Sequence, residues 1–354
     1  MRRAYVLSFA IAPMLASACG NSDSAPKREG EDESDAARTD AFTEVDATPV
    51  GDADMLDAAD AADATNIGLT VSPTELVFSG VKSTKSAAQT VTLTNTGSTA
   101  LTISSAALTG AAFAMKPSAT PVSLKSGEAW TFSATFAPPA SPLGVLPGKV
   151  HLTDDLGGHD VDLFGLSTNG EQGNNEPTFQ NVVDALGYEI DVGGTKLTLG
   201  TGAKPIGDEV VHPLFTKAGP GPVTMRAVAR YSPAETLPFG WYEPVAKGTP
   251  TTHVLATIAL GAEQSLNPAL VVPGVPSFDP GNVSFGLYVD SNTFKRNTYT
   301  QDALNTGPTV HATRVYPLKD RQGKLVANSF LLGFEDAANG DYQDYVFVIT
   351  NVLP

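Results

Sequence analysis

The chain has 354 residues and a hydrophobic fraction of 42%, so it exceeds one ordinary domain in length and has enough apolar residues for packed cores. Its formal net charge is -16. This charge argues against nucleic-acid binding, because phosphate contacts need clustered Lys and Arg. The 33 glycines and 26 prolines favour short strands joined by turns, and we therefore expect an all-β protein.

The N-terminus has the pattern of a bacterial export signal. Arg2 and Arg3 precede an apolar stretch, residues 4–15, that is too short to span a bilayer. The stretch runs into Leu-Ala-Ser-Ala-Cys, which ends at Cys19, the single cysteine of the chain. This segment resembles the bacterial lipobox, which implies a signal peptide over residues 1–18 and a membrane-anchoring lipid on Cys19. The alternative is an ordinary secretory peptide with a free thiol.

Residues 19–66 predict a disordered acidic tether. Between Gly20 and Asn66, fourteen acidic residues stand against three basic ones, and aromatic residues are almost lacking. Such a segment buries too little apolar area to offset its ordering entropy, and its like charges extend it. We expect it to hold the folded domains away from the membrane, in the cell envelope or at the outer-membrane surface.

Residues 67–168 predict an Ig-like β-sandwich. The segment 89–95 alternates with period two, and the segment 130–136 places apolar residues at every second position. About seven short strands in about 100 residues are typical of this fold. The stretches TLTNTG (92–97) and FAP (136–138) resemble the abnormal-spindle/Hydin-type (choice-of-anchor D) domain. That resemblance implies a spacer or adhesive module without catalysis.

Residues 169–176 are turn formers and predict a linker to a second β domain over residues 177–354. In the segment 223–231, positions 223, 225, 227 and 229 are expected on one face, with Arg226 and Arg230 on the other. The segment 345–349 is apolar on both faces, which predicts a central strand. The charged run 319–324 predicts a solvated hairpin tip.

The C-terminal segment LLGFEDAANGDYQDYVFVITNV (331–352) also carries a family resemblance. Together with PFGWYEP (238–244) and SFGLYVDS (284–291), it resembles extracellular bacterial β-sandwich modules of uncharacterised function. The resemblance implies that the second domain is a jelly-roll-like β-sandwich.

The densest group of acidic side chains lies between the last two apolar runs. Ca²⁺ takes six to eight oxygen ligands, which a loop folded back between strands can supply. We therefore consider a calcium site formed by Glu335, Asp336, Asp341 and Asp344, with Asp290 adding an oxygen if its strand is a neighbour. Two alternatives are a solvated acidic turn whose side chains cap backbone amides and a glycosidase-type carboxylate pair.

A second candidate site is aromatic. Trp241 and Tyr242 follow Phe239 and Gly240, and exposed aromatic rings can stack on the apolar faces of sugars, so we consider both residues as ligand-binding. The alternative is that Trp241 belongs to the core.

No cofactor other than Ca²⁺ and no catalytic residue is expected, since the sequence has no zinc-binding spacing, no nucleophile elbow and no phosphate-binding loop. The sequence favours a non-enzymatic surface lipoprotein that binds a glycan or a surface protein in adhesion. The alternatives are a carbohydrate-binding or weakly carbohydrate-active protein, and a purely structural envelope spacer.

Overall fold

The computed structural model describes residues 68–116, 119–194, 203–306 and 309–354. The predicted signal peptide, the predicted lipidation site Cys19 and the predicted acidic tether, residues 19–66, all lie outside the described residues. The all-β prediction is confirmed, because strands dominate the described residues. Within them, no helix has the length and apolar character needed to cross a membrane.

The first β-sandwich consists of two sheets with the strand orders β1-β3-β7-β5 and β2-β9-β8-β4-β6. Its strands are β1 (Leu69–Ser72), β2 (Glu75–Val81), β3 (Gln89–Asn95), β4 (Leu101–Thr109), β5 (Phe113–Lys116), β6 (Val122–Leu124), β7 (Ala129–Phe136), β8 (Gly144–Asp154) and β9 (Gly157–Thr168).

The period-two pattern of these strands fills the space between the two sheets. In β7, Trp130, Phe132, Ala134 and Phe136 are buried while the residues between them are exposed or half-buried. They pack in one core with buried residues of the facing sheet, among them Phe78 of β2. The Ig-like β-sandwich predicted for this segment is therefore present.

The second β-sandwich consists of two packed sheets. The large sheet has the strand order β14-β11-β20-β19-β18, with β15 beside β11, and the smaller sheet has the order β13-β12-β16-β17. A further pair, β10-β21, completes the sandwich. Its elements are α1 (Phe179–Ala185), β10 (Thr216–Lys217), β11 (Val223–Arg230), β12 (Leu237–Tyr242), β13 (Thr252–Ile258), β14 (Ser265–Leu266), β15 (Ser277–Phe278), β16 (Gly286–Ser291), β17 (Arg296–Tyr299), β18 (Thr313–Lys319), β19 (Leu325–Phe334), β20 (Tyr345–Thr350) and β21 (Val352–Leu353), with short 3-10 helices at Gly173–Asn175 and Asp302–Leu304.

Strand β20 is central in the large sheet and buried on both faces, as its apolar run predicts. Phe347 and Ile349 lie in the core between the two sheets. Val346 and Val348 pack on the opposite face, in a second core that includes the helix α1. The loop that enters β20 therefore begins and ends inside the protein.

The expected faces of β11 are only partly correct. Val223, Met225 and Ala227 lie in the core between the sheets. A register shift between Ala227 and Ala229 against β20 moves Ala229 to the opposite core. A β-bulge changes which face the following residues occupy, and Arg230 is fully buried, where alternation alone predicted a polar outer face.

The helix α1 was not predicted, because the second domain was interpreted as entirely β. The Thr178 hydroxyl accepts a hydrogen bond from the Asn181 backbone N–H at 3.2 Å, a typical N-cap. The apolar face of α1, which includes Phe179 and Val182, packs in the same core as Leu166 of β9. The helix thus fills the space between the two sandwiches, which belong to one compact unit, Ala62–Pro354. The domain limits 67–168 and 177–354 stay a prediction.

The charged run 319–324 forms the turn between β18 and β19, but it is not merely a solvated hairpin tip. Arg321 donates to both carboxylate oxygens of Glu75 in the first sandwich, at 3.0 and 2.9 Å. Its guanidinium lies 3.6 Å from the centroid of the Phe164 ring, a cation–π distance. This turn therefore helps to join the two sandwiches.

Candidate cation site in the loop 335–344

The four C-terminal carboxylates lie in one loop, residues 335–344, between β19 and β20. The backbone adopts positive φ at Ala338 (69°), Gly340 (81°) and Tyr342 (53°). Non-glycine residues rarely adopt this conformation, and each such residue costs about 1 kcal/mol or more. The loop therefore needs an interaction that compensates for this strain, and Glu335 provides it.

The Glu335 carboxylate is fully buried and bound by backbone amides. Its two oxygens accept N–H bonds from the loop itself: Oε1 from Ala337 at 2.8 Å and Ala338 at 2.7 Å, and Oε2 from Gly340 at 3.0 Å, Asp341 at 2.9 Å and Tyr342 at 3.3 Å. Hydrogen bonds to a charged group are about twice as strong as neutral ones. Glu335 therefore acts first as an internal anion that shapes the loop, which agrees with the alternative of carboxylates that cap backbone amides.

Asp336 and Asp344 are also buried, at 1% and 3% exposure. Asp344 Oδ2 accepts from the Asp336 backbone N–H at 2.9 Å, and Asp336 Oδ2 accepts from the Tyr345 hydroxyl at 2.7 Å. Burial raises the pKa of both side chains, and for Asp344 the charges of Asp336 and Glu335 raise it further, well above its ordinary range. Within the described part of the chain, Asp336 Oδ1 has no hydrogen-bond partner of normal geometry.

Asp341 faces the same group from the far end of the loop. Burial, together with the charge of Glu335, raises the pKa of Asp341 to about 7. Asp341 Oδ1 and the amide oxygen of the neighbouring Gln343, a residue only 1% exposed, are buried and lack a partner among the described residues. One ligand oxygen each from Glu335, Asp341 and Asp344 lies within 4.8 Å of the others, close enough for a single cation with Ca–O distances of 2.3–2.6 Å.

The two arginines beside this group do not pair with its carboxylates in these contacts. Arg296 donates to the backbone carbonyl of Asp336. Arg230 donates to the Ser232 hydroxyl and to the carbonyls of Pro233 and Glu235. The negative charge of the loop is therefore balanced only in part, by backbone dipoles and nearby guanidinium groups.

Sequence reasoning missed Glu176, which approaches the same loop from the predicted linker. It is half-buried and accepts a hydrogen bond from the Gln264 amide. Burial and the charge of Glu335 raise its pKa. Glu176 and Asp341 line a common cavity of about 200 Å³. Only its position before Pro177 distinguishes Glu176 in the sequence, and this gave no indication of a site.

Asp290 does not join the group of Glu335, Asp341 and Asp344. Its strand β16 lies in the smaller sheet, where Asp290 pairs with Asn297 of β17, whereas β19 and β20 lie in the large sheet. Asp290 was expected to add an oxygen only if its strand neighboured those that flank the loop. This condition is therefore not met. Burial and the charge of Glu235 raise its pKa.

The predicted aromatic site is occupied by the protein's own rings. Trp241 stacks on His253, its cross-strand partner, at a centroid distance of 4.1 Å and on Phe278 at 5.2 Å, and it packs against the core. Tyr242 is completely buried, with its hydroxyl 3.3 Å from that of Thr300. Tyr242 has no exposed surface to offer a sugar, and the half-buried Trp241 is stacked on His253 and Phe278, so the geometry favours the alternative that these residues belong to the core.

A second, partly buried charge network borders the loop 335–344, because the Tyr342 hydroxyl donates to the His311 carbonyl and the Tyr342 ring centroid lies 4.9 Å from the Arg314 guanidinium. His311 contacts Asp302 through Nδ1 at 2.9 Å and Glu209 through Nε2 at 3.1 Å, while Arg314 pairs with Glu209. Burial lowers the pKa of His311, but the two carboxylates outweigh it and raise the pKa to about 9. The imidazole is therefore a protonated structural link between two carboxylates at neutral pH.

No protein-family model matches the chain, and no curated protein matches it. Among solved structures, it is similar to the VesB protease of Vibrio cholerae, with 17% identity over 28% of this chain and 31% of that chain at a TM-score of 0.21. It is also similar to the human CEP192 PapD-like domain 7, with 16% identity over 35% of this chain and 100% of that chain at a TM-score of 0.23. For the Pseudomonas aeruginosa CupB2 chaperone, the identity is 9% over 65% of this chain and 97% of that chain, with a TM-score of 0.25. The chain spans less than a third of the VesB chain, and at these TM-scores none of the likenesses bears on function.

Proposed function

We propose that the protein is a non-enzymatic cell-surface lipoprotein that displays its two β-sandwiches for adhesion or ligand binding, with Ca²⁺ stabilising the second sandwich. The display role is supported by the lipobox-like sequence at Cys19 and by the acidic tether that follows it. The sandwich fold provides the rigid body to be displayed, and the carboxylate loop provides the cation site.

The observation that carries the calcium proposal is the number of buried oxygens without a partner. In the loop 335–344, Asp336 Oδ1, Asp341 Oδ1 and Gln343 Oε1 are buried and have no hydrogen-bond partner among the described residues. An unsatisfied buried acceptor costs about 1–3 kcal/mol. A hard divalent cation takes oxygen ligands of this kind and would remove that cost.

The test is thermal unfolding of the mature protein in excess Ca²⁺ and in chelator. A ligand at 100 times its Kd stabilises by about 2.7 kcal/mol, which corresponds to roughly 5–10 °C for a domain of this size. Asp341→Asn should abolish most of the shift. Asp162→Asn, which alters a half-exposed carboxylate of the first sandwich, should retain it. Equal melting temperatures of the wild type in Ca²⁺ and chelator would remove calcium from the proposal.

The anchor is tested separately by fractionation of cells that express the full chain. Cys19→Ala should move the protein from the membrane fraction to the soluble fraction, because the thioether-linked lipid cannot form without the thiol. Its retention in the membrane fraction would contradict lipidation at Cys19.

A further inference from the structure

We infer that Glu176, in the segment that connects the two sandwiches, is an additional ligand of the cation held by the loop 335–344, so that cation binding immobilises this connection. The inference rests on the proposed calcium site and adds to it a residue outside the loop. It also assigns the ion a role at the junction, in addition to its role within the second sandwich.

The loop alone provides too few free oxygens for Ca²⁺, which requires six to eight. Both oxygens of Glu335 already accept backbone N–H bonds. Asp344 has one oxygen engaged by the Asp336 amide. The loop therefore offers mainly the unpartnered oxygens of Asp336, Asp341 and Gln343 and the second oxygen of Asp344, which are fewer than Ca²⁺ requires.

The missing ligands have an obvious source across the cavity of about 200 Å³ beside Asp341. The loop lines this cavity with Asn339 and Asp341. The connecting segment lines it with Gly173, Asn174, Glu176, Pro177 and Thr178, of which Glu176 supplies a carboxylate. A cation in this cavity would meet oxygen ligands from both segments.

A further observation indicates a ligand of positive charge beside Asp341. Gln343, two residues after Asp341, is 99% buried, yet its amide oxygen has no hydrogen-bond partner among the described residues. An unpartnered acceptor at this place points to a ligand with positive charge.

The consequence for the molecule is mechanical. The connecting segment leaves β9 of the first sandwich at Thr168 and enters α1 of the second at Phe179. A cation shared by Glu176 and Asp341 would cross-link this segment to the loop and limit the motion of one sandwich relative to the other. Ca²⁺ would then stiffen the displayed two-sandwich body as a whole.

The experiment uses the mature protein, with Ca²⁺ binding measured by titration calorimetry and amide hydrogen exchange of residues 170–178 measured with and without Ca²⁺. Glu176→Gln should weaken Ca²⁺ binding at least fivefold. Glu171→Gln, an exposed carboxylate of the same segment, should leave the affinity unchanged. In the wild type, Ca²⁺ should slow exchange in residues 173–178 at least tenfold.

Equal affinities of the wild type and Glu176→Gln, with unchanged exchange in the segment, would overturn this inference and leave the proposed calcium site of the loop intact. Absence of Ca²⁺ binding to the wild type would overturn the proposed site and this inference together. The exchange measurement on the wild type keeps the test decisive if the Glu176 variant does not fold.

Discussion

Replacement of Glu335 by Gln tests whether this residue is an internal cap or a simple metal ligand. The substitution preserves size and shape but removes the charge and converts one acceptor oxygen into an NH₂ group. In the native loop, Oε1 accepts two and Oε2 three backbone N–H bonds. Whichever oxygen is replaced, at least two backbone N–H groups lose their acceptor and face another donor.

The expected loss follows from these numbers. A hydrogen bond to a charged group contributes roughly 1.5–3 kcal/mol, so two lost bonds cost about 3–6 kcal/mol. The removed charge also relieves repulsion between Glu335 and the neighbouring carboxyl groups, by about 1–2 kcal/mol. We expect Glu335→Gln to lower the free energy of unfolding by about 1–5 kcal/mol.

The assay is urea unfolding at pH 7, followed by circular dichroism, in chelator and in excess Ca²⁺. The matched control is Glu243→Gln, since Glu243 is 58% exposed and contacts His253 at 3.2 Å, and it should change stability by less than about 0.5 kcal/mol. The loss for Glu335→Gln should be present in chelator, because the backbone N–H bonds exist without an ion. A loss below 1 kcal/mol in chelator, or one that develops only with Ca²⁺, would refute the capping role.

Two other predictions concern charges outside the loop 335–344. In a double-mutant cycle followed by urea unfolding, Arg321→Ala and Glu75→Gln should show a coupling energy of about 1 kcal/mol. The reason is that the bidentate pair is only partly exposed, at 28% and 35%. Additive effects of the two substitutions would mean that the pair does not stabilise the junction of the sandwiches. His311 has a folded-state pKa of about 9 against 6.5 when unfolded, so its contribution is complete below pH 6.5 and declines until pH 9. The free energy of urea unfolding should therefore fall by about 1–2 kcal/mol between pH 6 and pH 9.5 because of His311, after allowance for solvent screening. His311→Gln should remove this part of the pH dependence. An unchanged pH dependence in the variant would contradict the assignment.

Strand positions could be predicted from the sequence wherever burial repeats every second residue. The segment 89–95 predicted β3 with its actual limits, Gln89–Asn95, and the alternation at 130–136 identified the buried face of β7. The central position of β20 followed from an apolar run without a polar face. In each case, a local pattern contains the whole signal, because side chains of a strand alternate between two faces.

The irregular features could not be predicted, since they depend on partners distant in sequence. The bulge in β11 is defined by its register against β20, more than a hundred residues later, and it is this bulge that buries Arg230. Arg321 looks like a turn residue until the fold places Glu75 and Phe164 beside it. The seven-residue helix α1 is too short to produce a clear helical period.

The candidate site shows the same division. The spacing predicted that Glu335, Asp336, Asp341 and Asp344 share one loop between two apolar strands. One oxygen each from Glu335, Asp341 and Asp344 lies within 4.8 Å of the others, whereas Asp336 is not in this group. The role of Glu335 as a cap of five backbone N–H groups was not predicted, because these groups converge on it only through the positive φ values of the loop. Asp290 was included on the basis of a strand arrangement that the fold does not adopt, and Glu176 was overlooked because a turn-forming segment gives no indication of what it contacts.

The position of the loop in the fold explains why its charges need compensation. Strands β19 and β20 are neighbours in a sheet whose two faces are both covered, so the first and last residues of the loop are buried with the strand ends. A loop of ten residues has a limited supply of backbone N–H groups, and five of them converge on Glu335. Few donors remain for Asp336, Asp341 and Asp344, and burial together with the charge of Glu335 raises the pKa of all three. Bound protons meet this need in part, and the divalent cation proposed above would meet it with the same oxygens and, through Glu176, extend the compensation to the junction of the two sandwiches.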